Sequence, residues 1–331
     1  MTNLNEQRIT AITNSLIFSD GTSATSRASN IVIKGDNVGF SLDITGIKIS
    51  EAEIIQKAIT KQLEELDCIN KVSIVLTSSR QISKAAKAEK PKLHIEGVDK
   101  VILVAAGKGG VGKSTIAALL AHKLNAEGKK VGIVDADIYG PSIPNIFALG
   151  GRPGLDNNKM IPLKNYGIEV NSIGFLTEPS ASVSWRGPMT SKALYQLLSL
   201  TKWSKLDYLI IDTPPGTGDI HLSLLENYII DQVLMVTTPQ KISALDVSRS
   251  INLYKKFNVT IAGIIENMSY YRQPSTGSII KLFLGDAGKQ IAKEHNIPLL
   301  AQIPIDPGLA SACDQGLDLK EYSNYLSGVD I

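Results

Sequence analysis

Cysteine is nearly absent from this chain: two residues, Cys68 and Cys313, among 331. Two isolated thiols make neither a disulfide framework nor a zinc-finger spacing, so a reducing cytoplasm is the expected compartment. Aromatic residues are scarce at 5%, too few for a platform on which single-stranded bases stack. An excess of one charge is also missing. Lys and Arg number 34 against 32 Asp and Glu, a net charge of +2, which offers no global attraction to nucleic acid or to an anionic membrane. No apolar run approaches the ~18 residues of a membrane span. The polar start from Met1 to Gln7 has no apolar signal-peptide core behind a basic tip. What is present is an ordinary globular composition, 43% hydrophobic and 20% charged, in a length that suits about two domains at ~150 residues each.

Residues 1–80 read as a small α+β domain. Ser29–Ile33 and Val38–Ile44 predict strands on either side of a Lys-Gly-Asp-Asn turn. Ser50–Leu66 carries Ile54, Ile55, Ala58, Ile59 and Leu63 at helical spacing, with Ser50 and Glu53 placed as a capping box. Lys71–Thr77 alternates as a strand, and Asp20–Ser29 reads as loop. Residues 81–97 read as a linker. Their lysines, Lys84, Lys87, Lys90 and Lys92, lack interleaved Arg or aromatics, so a solvated tether is expected rather than a nucleic-acid contact.

Over residues 98–331 the pattern changes. Apolar strand candidates (Val101–Ala106, Lys130–Asp135, Tyr208–Asp212, Gln232–Thr237, Thr260–Asn267, Leu299–Ile303) alternate with helical stretches at Lys113–Ala126, Pro188–Leu200, Lys241–Phe257 and Gly285–Glu294. This alternation predicts an α/β domain with a mainly parallel sheet covered by helices on both faces. Ligands of such sheets sit at the carboxyl ends of the strands.

The polar motifs fall at those ends. Gly107-Lys108-Gly109-Gly110-Val111-Gly112-Lys113-Ser114-Thr115 follows an apolar strand and opens a helix. It has the phosphate-loop spacing of Gly, four residues, then Gly-Lys-Ser. Without Cβ atoms, successive backbone N–H groups can converge on phosphate oxygens, and the helix N-terminus adds partial positive charge. Lys113 is expected at the β- and γ-phosphates, and Ser114 on Mg²⁺. Asp135 and Asp137 end the next strand with side chains facing one way. Asp212 closes the apolar run Leu209-Ile210-Ile211; it can hold Mg²⁺ through water or cap a helix. In Thr213–Asp219, Gly216 can present its N–H to a γ-phosphate, which makes the segment a candidate order–disorder switch. No Asn-Lys-x-Asp guanine reader occurs, so ATP is expected over GTP.

With Lys108 added, the loop resembles that of the "deviant" phosphate-loop ATPases, which include the partition and division-site ATPases and the nitrogenase iron protein. The resemblance implies a sandwich homodimer in which Lys108 reaches the partner's nucleotide. Four further segments narrow it: Asp137-Ile138-Tyr139-Gly140-Pro141-Ser142, Trp185-Arg186-Gly187-Pro188-Met189, the run from Asp212 to Asp219, and Glu266-Asn267-Met268-Ser269. Over about Gly97 to Leu326 the chain resembles the Mrp (ApbC) family of iron–sulfur cluster carrier ATPases, whose N-terminal partner is a small α+β domain. The resemblance implies slow ATP hydrolysis with Asp137 orienting water and Asp135 supporting it, and Asn267 on the adenine ring. It implies apoprotein clients or iron–sulfur assembly factors as partners, with neither nucleic acid nor membrane.

The family holds its iron–sulfur cluster with a Cys-Pro-x-Cys pair. Here the register reads Gln273-Pro274-Ser275-Thr276-Gly277, and amide and hydroxyl groups are poor iron ligands beside thiolate or imidazole. Cys313 reads as a core residue, and His94, His122, His221 and His295 have no ligand spacing. Three functions follow from the residues: cluster carriage through other ligands or with a partner; an ATP-driven dimeric switch on a protein client, without a cluster; and, last, a positioning ATPase for DNA or membrane.

Overall fold

In the computed structural model, residues 6–66, 69–77, 91–176 and 187–331 are described. Cys68, Trp185, Arg186 and the lysines Lys84, Lys87 and Lys90 lie outside them. The chain divides into two compact units, Met1–Ala88 and Glu89–Ile331.

The first unit runs α1 (Glu6–Asn14), α2 (Ala24–Arg27), β1 (Ala28–Lys34), β2 (Asn37–Asp43), α3 (Ile49–Glu64) and β3 (Lys71–Thr77). β1 pairs antiparallel with β2, and β2 parallel with β3. Val38, Phe40 and Leu42 alternate inward from β2 and meet Ile55, Ile59 and Leu63 of α3. Period 2 thus faces period 3.6 across one small core. Two local expectations are corrected. The capping box at Ser50 is not formed: α3 starts one residue earlier, Lys48 is its N-cap, and no side chain caps it. Glu51, in the first turn, instead accepts the Ser19 amide and hydroxyl at 2.6 and 2.8 Å. The loop expected over Asp20–Ser29 contains α2, because the Ser23 hydroxyl accepts the Ser26 N–H and starts a turn of helix.

The second unit begins with β4 (Val98–Ala106), α4 (Lys113–Ala126), β5 (Val131–Asp135) and α5 (Ile143–Ile146). The short strands β6 (Leu155–Asp156), β7 (Lys159–Met160) and β8 (Leu163–Asn165) precede β9 (Ile168–Ser172). Then come α6 (Gly187–Ser199), β10 (Leu206–Asp212), α7 (Asp219–Asn227), β11 (Gln232–Thr237), α8 (Lys241–Lys256) and β12 (Thr260–Glu266). The hairpin β13 (Tyr271–Arg272) and β14 (Ile279–Ile280) leads to α9 (Ala287–His295), β15 (Leu299–Gln302) and α10 (Pro307–Gln315). The main sheet has the order β15-β12-β11-β4-β10-β5-β9-β8. Its pairings are parallel except at β8–β9.

Both faces of this sheet are covered. From β4, Ile102, Val104 and Ala106 enter one core with α4, α5 and α10, while Val101, Leu103 and Ala105 enter the other with α6 to α9. This is why β4 reads as an unbroken apolar run instead of alternating. Part of the expected 81–97 linker belongs to this unit. The Leu93 N–H donates to the Asn227 carbonyl at 2.7 Å, the Ile229 N–H donates to the Leu93 carbonyl at 3.0 Å, and Ile95 is buried. β4 is central, with β10 on one side and β11 on the other, so the loop that leaves its carboxyl end has strand ends on both sides.

Candidate functional site

Residues 107–112 connect β4 to α4 through a glycine-dependent path. Gly110 and Gly112 have φ of 78° and 80°, the left-handed region that L side chains avoid. At Gly112 an added Cβ would lie 2.3 Å from Asn267 Nδ2, and at Gly107 it would lie 2.4 Å from the Asp246 backbone carbon in α8. Gly112 is also the N-cap of α4 and brings no capping side chain. The first-turn amides and the positive end of the helix dipole are therefore left for an anion.

Three acids converge on this loop. Asp212 and Asp135 are register partners at the ends of β10 and β5, strands about 4.8 Å apart in any sheet. Lys113, 7% exposed, donates from Nζ to Asp212 Oδ1 at 2.5 Å and sits 3.7 Å from Asp137 Oδ2. Burial pushes the Asp212 pKa up and the Lys113 charge pulls it down. Among the described residues Asp212 Oδ2 is buried with no hydrogen-bond partner. The Ser114 hydroxyl lies 3.4 Å from Lys113 Nζ. A carboxylate oxygen without a donor and a nearby hydroxyl are hard oxygen ligands of the kind Mg²⁺ takes.

Asp135 plays a different part. Its Oδ1 accepts the Asp137 N–H at 3.1 Å, and its Oδ2 accepts the Ile143 N–H at 3.1 Å and the Ser172 hydroxyl at 3.2 Å. Burial, then the charge of Asp212, raises its pKa to about 8. Asp135 thus ties β5 to the start of α5 and sets the backbone at Asp137. Asp137, nearly buried, accepts the Tyr139 N–H at 3.2 Å through Oδ1 and leaves Oδ2 toward Lys113.

Three expected contacts are arranged differently. The Gly216 N–H, expected at a γ-phosphate, donates to the Ala106 carbonyl at 2.9 Å, because a left-handed Gly216 (φ 88°) tucks the loop over the end of β4. Asn267, expected on adenine, donates from Nδ2 to the Val111 carbonyl at 2.9 Å and so braces the phosphate loop. Lys108, half-buried, reaches Gln240 Oε1 at 3.3 Å, at the start of α8 in its own chain.

A cavity of about 750 Å³ opens over the loop. It is lined by Lys113, Ser114, Thr115 and Asp137, by Asn145 of α5 and Leu149 beyond it, and by Cys313–Gln315 of α10. Cys313 is buried, as a core residue should be, but it also borders this cavity. Burial raises its thiol pKa, and the Thr115 hydroxyl pulls it down.

Sequence reasoning missed the residues that brace the site. Buried Glu266 accepts the Ser269 hydroxyl at 2.5 Å, Gln302 Nε2 at 2.7 Å and the Gly288 N–H at 2.8 Å. It thereby fixes the turn that carries Asn267. His221 and Tyr254 are equally buried and hydrogen-bonded. Nothing local marks such residues, except that an acid ending an apolar strand usually needs partners.

The turn at 273–278 is closed on itself. The Gln273 N–H donates to the Ser278 carbonyl at 2.9 Å, the Gly277 N–H to the Gln273 carbonyl at 2.8 Å, and the Thr276 hydroxyl to Gln273 Oε1 at 3.1 Å. Among the described residues no group of three or more His, Cys, Asp or Glu is placed to hold a metal ion.

Residues 97–326 match the family model of the NUBPL iron-transfer P-loop NTPases (ParA). A protein named iron-sulfur cluster carrier protein, from Rickettsia felis, is 52% identical over 321 residues, 97% of each chain. A mouse protein named iron-sulfur cluster transfer protein NUBPL is 42% identical over 238 residues, 71% of this chain and 74% of the mouse protein. Among solved structures, a nucleotide-binding protein from Archaeoglobus fulgidus in complex with ADP superposes with a TM-score of 0.61 at 36% identity, covering 69% of this chain and 90% of that one.

Proposed function

The chain belongs to the NUBPL iron-transfer P-loop NTPase family, and from that premise we propose that it is a Mg²⁺-dependent homodimeric ATPase serving iron–sulfur protein assembly in the cytoplasm. The observation that carries this reading is the Lys113–Asp212–Asp137 cluster at the mouth of a glycine-built anion cradle, with one Asp212 oxygen lacking a donor among the described residues. The Archaeoglobus relative, solved with ADP, supports a nucleotide as the anion.

Each residue then has a task. The loop amides and Lys113 bind the β- and γ-phosphates, for which Lys113 must leave Asp212. Ser114 and Asp212 would hold Mg²⁺, Asp212 through water; held there, it would supply positive charge to offset the negative charge that develops on the transferred phosphoryl group. Asp137 Oδ2 orients the attacking water, giving ADP and phosphate. Release of the Gly216 N–H from Ala106 frees a donor for the γ-phosphate. Lys108, detached from Gln240, stabilises the leaving charge across the dimer, so turnover is slow in the absence of a partner. The side-chain amides of Asn145 and Gln315, which also line the cavity, are available to the nucleoside.

A cluster as cargo fits the relatives' names and does not fit the 273–278 turn. Its amide and hydroxyl are poor iron ligands, and both are already hydrogen-bonded to each other. That closed turn favours a second reading, a nucleotide switch that acts on an apoprotein client while another component carries the cluster.

Calorimetry with magnesium ATP, together with phosphate release, tests the first half; no binding heat and no turnover would remove it. Anaerobic reconstitution with iron and sulfide tests the second. A colourless wild type beside a coloured Q273C/T276C variant supports the client switch. A stable cluster in the wild type supports direct carriage.

A further inference from the structure

His221 lies in the first turn of α7, two residues past the 213–219 loop, and the proposed hydrolysis does not use it. It is fully buried, and both ring nitrogens are engaged: Nδ1 lies 2.7 Å from the Tyr254 hydroxyl and Nε2 lies 2.9 Å from the Pro214 carbonyl. The chemistry of the partners fixes the protons. A carbonyl only accepts, so Nε2 carries the hydrogen; Nδ1 is then bare and accepts from Tyr254. Burial keeps both groups neutral, lowering His221 to about 4 and raising Tyr254. The two rings also meet edge-on, with centroids 6.1 Å apart.

Tyr254 belongs to α8, and α8 touches the phosphate loop at its other end. Gly107 packs against the Asp246–Val247 backbone, and Lys108 bonds Gln240 at the α8 N-cap. The helix is thus connected to both segments that bracket the γ-phosphate position. Its first turns expose Ile242 and Leu245, 69% and 68% accessible.

We propose that His221 is a positioning residue: through Pro214 it sets the resting place of the 213–218 loop, and through Tyr254 it passes movement of that loop to α8. This deepens the ATPase reading and rests on it. When the loop shifts to offer the Gly216 N–H to a γ-phosphate, the Pro214 carbonyl shifts with it. A neutral imidazole bonded on both sides follows as a rigid strut and displaces the Tyr254 hydroxyl. The nucleotide state is thereby expressed at the exposed start of α8.

Hydrogen exchange on the full chain tests the strut, comparing magnesium ADP with a non-hydrolysable magnesium ATP analogue. In the wild type the amides of 213–218 and of α8 change together between the two nucleotides. In Tyr254→Phe the ring and the His221–Pro214 bond remain, so the loop still responds while α8 stays as in ADP. His221→Gln places an amide N–H near the Nε2 position and nothing at Nδ1, and gives the same uncoupling. Both variants lower kcat about 5–10-fold with KM within about twofold, a split that plain destabilisation does not produce. An α8 response unchanged in Tyr254→Phe, or a wild-type α8 silent while the loop responds, overturns the strut alone. Absence of nucleotide protection at 107–115 in the wild type overturns the nucleotide reading and the strut with it.

Discussion

The phosphate loop and the 273–278 turn lie in the same unit and differ in what they leave unsatisfied. At the loop, glycines hold left-handed backbone, a helix begins at a glycine that brings no capping side chain, and a buried Asp212 oxygen has no donor among the described residues. Such groups destabilise a protein unless a ligand completes them. At the turn, Gln273, Thr276, Gly277 and Ser278 complete one another, on an exposed hairpin. The first region is built to be finished by something else, and the second is already finished. For a chain whose relatives are named as cluster carriers, the phosphate loop leaves groups for a ligand while the position expected to hold cargo is a turn without thiols.

Four substitutions break or sharpen that contrast. Lys113→Ala has the largest effect. It removes the cation that meets the phosphates, and magnesium ATP affinity measured by calorimetry falls at least about 100-fold, about 3 kcal/mol. Lys108→Ala leaves affinity within about threefold and lowers phosphate release about 100-fold, as loss of a charge-stabilising donor does; unchanged turnover would remove its cross-dimer role.

His221 comes next, through stability. Its folded pKa of about 4 lies below the ordinary 6.5, so as pH falls through this window the unfolded chain takes a proton that the native chain refuses. Stability from this residue is present above pH 6.5 and declines towards pH 4, by up to about 3 kcal/mol. Denaturant unfolding of His221→Gln shows a shallower decline over that range. Thr276→Ala has the smallest effect. It alters unfolding free energy by less than about 0.5 kcal/mol and leaves nucleotide affinity unchanged. A larger loss in either would mean that the turn contributes to the nucleotide site.

Much of the site was readable in advance where its chemistry is contiguous. The nine residues from Gly107 to Thr115 carry their own backbone requirements, and Asp212 stands out as an acid closing an apolar run. Nothing near Gly216 and Asn267 in the chain shows that the Ala106 and Val111 carbonyls accept their hydrogen bonds here. The box at Ser50 is not formed because α3 already starts at Ile49 with Lys48 as its N-cap, which places Ser50 inside the first turn. The short strand β8 and helix α5 have no sequence signal, because three and four residues give no measurable period.

By itself the sequence determined six strands and four helices of the second unit, the phosphate-loop motif and the missing thiols, since period, glycine placement and side-chain chemistry are local properties. Only the tertiary structure decided that Lys113 meets Asp212 across 99 residues, that Lys108 rests on Gln240 across 132, and that His221 joins Pro214 to Tyr254. Those contacts follow from strand order, with β10 and β11 flanking β4. That order is set by how crossover helices pack on the two faces of the sheet, which no short stretch of the chain encodes.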